Sequence, residues 1–130
     1  MKLRVILAVT AFAVGVPVFA HHSFAMFDMN KDVTLQGTVA AFKWSNPHAW
    51  IELTVPGANA QTARWSVEMT SPNNLVRQGW KRTTFKAGDK TTIVVHPLRD
   101  GKTGGSLVSA VAPDGKVLGS ASGQTGATDK

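Results

Sequence analysis

The chain carries four histidines and no cysteine, and two of the histidines stand side by side in HHSFAMFD, at His21 and His22. Without thiolates, a metal site here is limited to imidazole, carboxylate, thioether, backbone atoms or a terminal amine. If His21 is the first residue of a processed chain, its α-amine and ring nitrogen together chelate a cation. A second imidazole would then complete a three-nitrogen set suited to tetragonal Cu(II). His22 offers another planar chelate, through the amine, a deprotonated peptide nitrogen and its own ring. Ser23 excludes the square-planar site that needs histidine in third position. The plain alternative is two polar residues that merely follow a cleavage point.

The other two histidines are His48, in NPHAW, and His96, in VVHPL. Each alone has an ordinary explanation, His48 as a turn residue bonded to Asn46 or to backbone and His96 as an outward strand residue before a proline. Together they make candidate ligands, His48 as the third nitrogen and His22 or His96 as a fourth or as a supporting group. Met26 and Met29 are soft donors for Cu(I), though two methionines make a sparse set. The expected cofactor is therefore copper, and the expected partners are a metal ion and an envelope protein.

A metal-free alternative rests on the aromatics. Trp50 alternates out of phase with Ile51 and Leu53, which turns it outward, and Trp44 precedes the Asn46 loop. An exposed indole beside polar groups can stack on a sugar or seat a polypeptide. Packing beneath a loop is the commoner use of tryptophan, above all for Trp65 and Trp80. Support for catalysis is thin. Glu52 and Glu68, the only glutamates, read as outward strand residues, Glu68 as a solvated partner of Arg64. Ser23 has no acid placed to orient a triad, and no glycine-rich phosphate loop occurs. The expectation is a binding protein, not an enzyme.

The elements that must position these residues can be read from periodicity. Val33, Leu35, Gly37, Val39 and Ala41 alternate with polar residues in a first strand, where Gly37 marks a bulge or tight coil. Ala49, Ile51, Leu53 and Val55 form a second strand, PGANAQ turns the chain, and Trp65, Val67 and Met69 lie in a third. Ser71 caps a short helix, with Pro72 in first position, Leu75 and Val76 on the apolar side and Gly79 at its end. Residues 90–96 make a fourth strand, PLRDGKTGG a flexible loop, and residues 106–112 a fifth, turned afterwards at PDGK. Three strands, a helix and two strands are the order of the oligonucleotide/oligosaccharide-binding (OB) barrel, a five-stranded Greek key. In that fold the loop bearing His48 and the loop after His96 belong to one binding side.

Bulk properties bound the rest. Residues 1–20 read as a secretory signal, with Lys2 and Arg4, an apolar run from Val5 to Val16 too short to span a bilayer, and Val18-Phe19-Ala20 at cleavage spacing. A periplasmic or secreted chain without a transmembrane anchor follows. Residues 21–32 form an amino-terminal arm, 33–118 one barrel domain, and 119–130 a small polar tail read as disordered. Without Lys2 and Arg4 the basic excess falls from 6 to 4, scattered along the sequence with no basic run, so nucleic acid is not an expected partner.

Taken together, HHSFAMFD, GTV, NPHAWI, SVEMTSPNNLVRQGW and GDKTTIVVHPLRDG resemble a family of small exported bacterial proteins of unknown function. The chain matches its pattern at His21, His22, Ser23, Phe24, Asn46, Pro47, His48, Gly79 and Trp80. The resemblance implies an exported domain and supplies no activity.

Overall fold

The computed structural model describes residues 24–120. The signal segment, His21, His22 and residues 121–130 lie outside the described residues. Six strands form one sheet: β1 Val33–Lys43, β2 Trp50–Pro56, β3 Thr62–Glu68, β4 Lys90–Pro97, β5 Gly104–Val111 and β6 Val117–Gly119. Their order is β3-β2-β1-β4-β5-β6, and a parallel β3–β5 pairing closes the first five into an OB-like barrel. Helix α1, Pro72–Arg77, lies between β3 and β4. Among the described residues no helix is long and apolar enough to cross a membrane.

The long strand β1 makes closure possible because its two halves serve different neighbours. Val33–Thr38 pair with β4, and Thr38–Lys43 pair with β2. At the bend, a Cβ on Gly37 would lie 2.5 Å from the Thr54 carbonyl oxygen and 2.9 Å from Leu53 Cγ, so only glycine lets β1 pass this close to β2. The register then shifts between Val39 and Ala41. That irregularity reverses the facing of the strand's end. Ala41, expected inward, pairs with Glu52 on the outer face, and Phe42 packs on the core opposite Ile51. A one-residue slip moves every later side chain to the other face.

Inside, Leu35, Val39, Ile51, Leu53, Val67, Ile93, Val95 and Leu107 are buried, and Leu75, Trp80 and Phe85 close one end. The Ser71 hydroxyl accepts from the Asn74 N–H, as an N-cap should, and Pro72 sits in the first turn. Only Pro72 and Leu75 of α1 are buried. Val76 is 60% exposed, because six residues offer one narrow inward stripe. The loop expected before the fifth strand is shorter than read, since Gly104 and Gly105 already belong to β5 and pair with Ser66 and Val67. Beyond PDGK the chain adds β6, and the Ser120 N–H donates to the Val108 carbonyl. Gly119 is thus part of the sheet, and Ser120 is bonded to its edge.

Candidate functional site

One register row organises the outer face. Trp50 stands opposite Glu68, Glu68 opposite Ser106, and Ser106 opposite His96. Two strand spacings therefore separate Glu68 from His96, about 10 Å along the sheet. Both histidines predicted from the sequence meet this row, each with its own acid.

His48 arrives from the turn after β1. The Ser45 hydroxyl donates to the His48 carbonyl, the Ala49 N–H to Thr70, and the Met69 N–H to Ala49, which extends the β2–β3 pairing past the strand ends. Two residues before Trp50, His48 returns to the same face. Its Nδ1 contacts Glu68 Oε1 directly. The Glu68 side chain is 8% exposed and the His48 ring 39%. The sequence alone suggests a solvated Glu68 beside Arg64. Its neighbours Val67 and Met69 are buried with it, and the acid has an imidazole for a partner instead. An ionised carboxylate can only accept, so Nδ1 donates to Glu68, and in the neutral ring the lone pair then lies on Nε2. That second nitrogen has no hydrogen bond among the described residues.

His96 repeats the motif. Its Nδ1 lies 3.1 Å from Asp32 Oδ1 and 3.1 Å from the Lys31 carbonyl oxygen. Here the ring is 19% exposed and the acid 62%. Both histidines thus turn Nδ1 to an oxygen acceptor, the arrangement that fixes tautomer and ring direction in metal-ligating histidines. They do not share one cluster. The described residues contain no group of three or more His, Cys, Asp or Glu able to hold an ion.

The other glutamate is engaged separately. Glu52 accepts from the Ser66 hydroxyl at 2.7 Å and pairs with Lys43 at 3.3 Å, so Glu52 and Glu68 form no carboxylate pair. Beside Glu68 the surface opens into a cleft of about 640 Å³, lined by Met26, Phe27, Trp50, Arg64 and Leu98 among others. Of the three residues proposed for a metal-free site, only Trp50 lines it. Trp44 packs edge-on against Phe42, ring centroids 5.7 Å apart, and Asn46 is exposed in its loop at a cis bond to Pro47.

The amino-terminal arm builds one wall of this cleft. Phe27 bridges Leu98, the Asp28 N–H donates to Pro97, and the Arg99 backbone N–H and Nε donate to Met26 and Ala25 carbonyls. Phe27 is buried by the contact, and Met26 stays 41% exposed. From Ala25 onward the arm continues the line of β1 past the end of β4 and lies against residues 97–99. Met26 is five residue steps from His21, a reach of at most about 18 Å.

Glu68, the residue that sequence reasoning missed, was findable by counting. The Gly57 N–H donates to Gln61 across the loop, and outward counting from Pro56 opposite Thr62 sets Glu68 against Trp50, beside His48. Asp32 carried no comparable signal.

A family model matches residues 9–108, and its description is a family of unknown function, DUF6152. No curated protein and no solved structure matches the chain.

Proposed function

We propose, for a chain that belongs to this family of unknown function, the role of an exported copper-binding carrier or accessory protein. The observation that carries the reading is the His48–Glu68 pair, in which a buried carboxylate holds an imidazole by Nδ1 and leaves Nε2 for a ligand. The course of the arm supports it as well, because Met26 and Glu68 line one cleft and His21 is only five residues away.

In this reading His21 supplies its amine and ring, and His48 the third nitrogen. His22 completes the set more readily than His96, which sits two strands away with its own acid. Amine and imidazole nitrogens with no thiolate favour Cu(II), which tops the divalent series, over Zn(II) or Ni(II). Affinity falls as the medium becomes acid, because protons compete for the same nitrogens. The role is binding rather than catalysis, and processing before His21 places the protein in the periplasm or outside the cell.

The test is copper titration of the chain beginning at His21. One Cu(II) should bind more tightly than Zn(II) or Ni(II), and both an added amino-terminal alanine and His48→Ala should weaken it. If both variants bind as well as the parent chain, the copper reading fails.

One observation favours a second reading. The cleft beside Trp50 is large enough for a peptide or sugar segment and carries Arg64 on its rim. A metal-free envelope-binding module would use it, would tolerate the added alanine, and would lose its ligand in Trp50→Ala.

A further inference from the structure

The basic residues form no unbroken run, yet their excess is concentrated in one stretch of the chain. Between Arg77 and Lys90 stand Arg77, Lys81, Arg82, Lys86 and Lys90 with one acid, Asp89. That stretch alone has a surplus of 4, the whole surplus of the chain from His21 onward, and the remaining 7 basic and 7 acidic residues balance. All five cations are exposed.

The segment that bears them is held firmly. Trp80 and Phe85 are buried in the barrel end, and the Trp80 indole N–H donates to the Gly119 carbonyl at 2.8 Å. The Lys81 N–H donates to Thr84 Oγ1, the Lys86 N–H to Asp89 Oδ2, and the Gly88 N–H to Val39. Through the Trp80–Gly119 bond the connection abuts β6, whose hairpin adds Lys116. Lys81, Lys86 and Lys116 line one depression of about 310 Å³, with Asp89 and Asp114 as its acids. Two large apolar side chains are exposed on the flanking elements α1 and β6. Val76, beside Arg77, is 60% exposed, and Val117, beside Lys116, is 68% exposed.

We propose that the α1–β4 connection and the β5–β6 hairpin form a basic face that docks on an anionic lipid bilayer. The chemistry favours a surface over a small anion. Lys86 is already paired with Asp89 at 3.5 Å, and no buried donors converge in the depression as they would around a bound phosphate. Long exposed cations with protruding valines instead suit headgroup phosphates and the shallow apolar boundary beneath them. The face shares no residue with the copper site, so either assignment can fail without the other.

The experiment is co-sedimentation of the chain beginning at His21 with vesicles. One preparation is pure phosphatidylcholine, and the other an equal mixture with phosphatidylglycerol. The protein should pellet with the anionic vesicles at low salt, remain free with the neutral ones, and detach as salt rises. Lys81→Glu with Arg82→Glu should weaken binding by roughly fivefold or more for each cation lost. The same charge change at Lys31→Glu with Lys102→Glu should leave binding nearly intact. Val76→Ser with Val117→Ser should weaken it while preserving its salt dependence. Circular dichroism verifies that the variants fold, which substitutions at exposed positions allow. Equal pelleting with both lipids, no pelleting with either, or equal loss in the two charge-reversed pairs would overturn the proposal. Tighter binding to a duplex DNA oligonucleotide than to vesicles at the same salt would overturn it too.

Discussion

The two histidine–acid pairs on the outer face use the same atoms and divide their burial oppositely. At His48 the acid is buried and the ring is the more exposed partner, and at His96 the ring is the more buried and Asp32 stands in solvent. The difference decides which imidazole is prepared to bind. A carboxylate enclosed by the sheet cannot trade its partner for water without a desolvation cost, so Glu68 holds the His48 ring in one orientation. Asp32 can turn to water at little cost, and the Lys31 carbonyl shares its task. The two pairs are alike in outline, but only one is a preset ligand.

Copper affinity should break the resemblance most sharply. Glu68→Gln preserves shape and removes the charge that orients His48, and losses of such supporting partners cost about 10- to 100-fold in metal affinity. Asp32→Asn should change affinity by less than about threefold, since its imidazole is not among the three nitrogens assigned. Competition titrations on the two variants check this. Equal losses would mean that His96 is a ligand of the same rank as His48.

How much of this was legible beforehand divides along the same line. Strand order, the Ser71 cap and the barrel followed from local patterns, because alternation and turn chemistry act within a few residues. The reversal at Ala41 and Phe42 did not, since a bulge is set by how closely β1 passes β2 at Gly37, a contact between distant parts of the chain. The four histidines were conspicuous as residue types. The acids of His48 and His96 were not, because Glu68 and Asp32 owe their roles to register across strands rather than to neighbours in sequence. The basic face was hidden for a related reason. The surplus itself lies within residues 77–90 of the sequence, but that the hairpin bearing Lys116 abuts this stretch is set by the distant Trp80–Gly119 contact.

Unfolding stability offers the second contrast. Glu68→Ala removes a buried acceptor and leaves His48 Nδ1 without its partner, a loss of about 1–3 kcal/mol. Asp32→Ala removes one member of an exposed, screened pair and should stay within about 0.5 kcal/mol of the parent. Urea denaturation of the metal-free chain measures both. A large loss at Asp32 would show that the His96 pair supports the closure of β1 on β4. No appreciable loss at Glu68 would show that the cost of burying the acid offsets what its pair with His48 contributes.

The smallest expected effect is the coupling between the pairs. Glu68 and His96 are joined by the row through Ser106, which is buried, and this row offers a path along which one pair could feel the other. Yet Ser106 forms no side-chain hydrogen bond to either histidine among the described residues, and sites about 10 Å apart with no shared partner behave additively. In a double-mutant cycle of Glu68→Gln and Asp32→Asn, the unfolding free energies should therefore add to within about 0.5 kcal/mol. The metal-free chain is the right state for this measurement, since a bound ion would link the histidines by itself. Repeating the cycle with Cu(II) present then gives the sharper comparison. If His96 stays outside the site, the coupling remains within the same limit. A coupling above about 1 kcal/mol that appears only with copper would place both imidazoles around one ion and turn two separate pairs into one site.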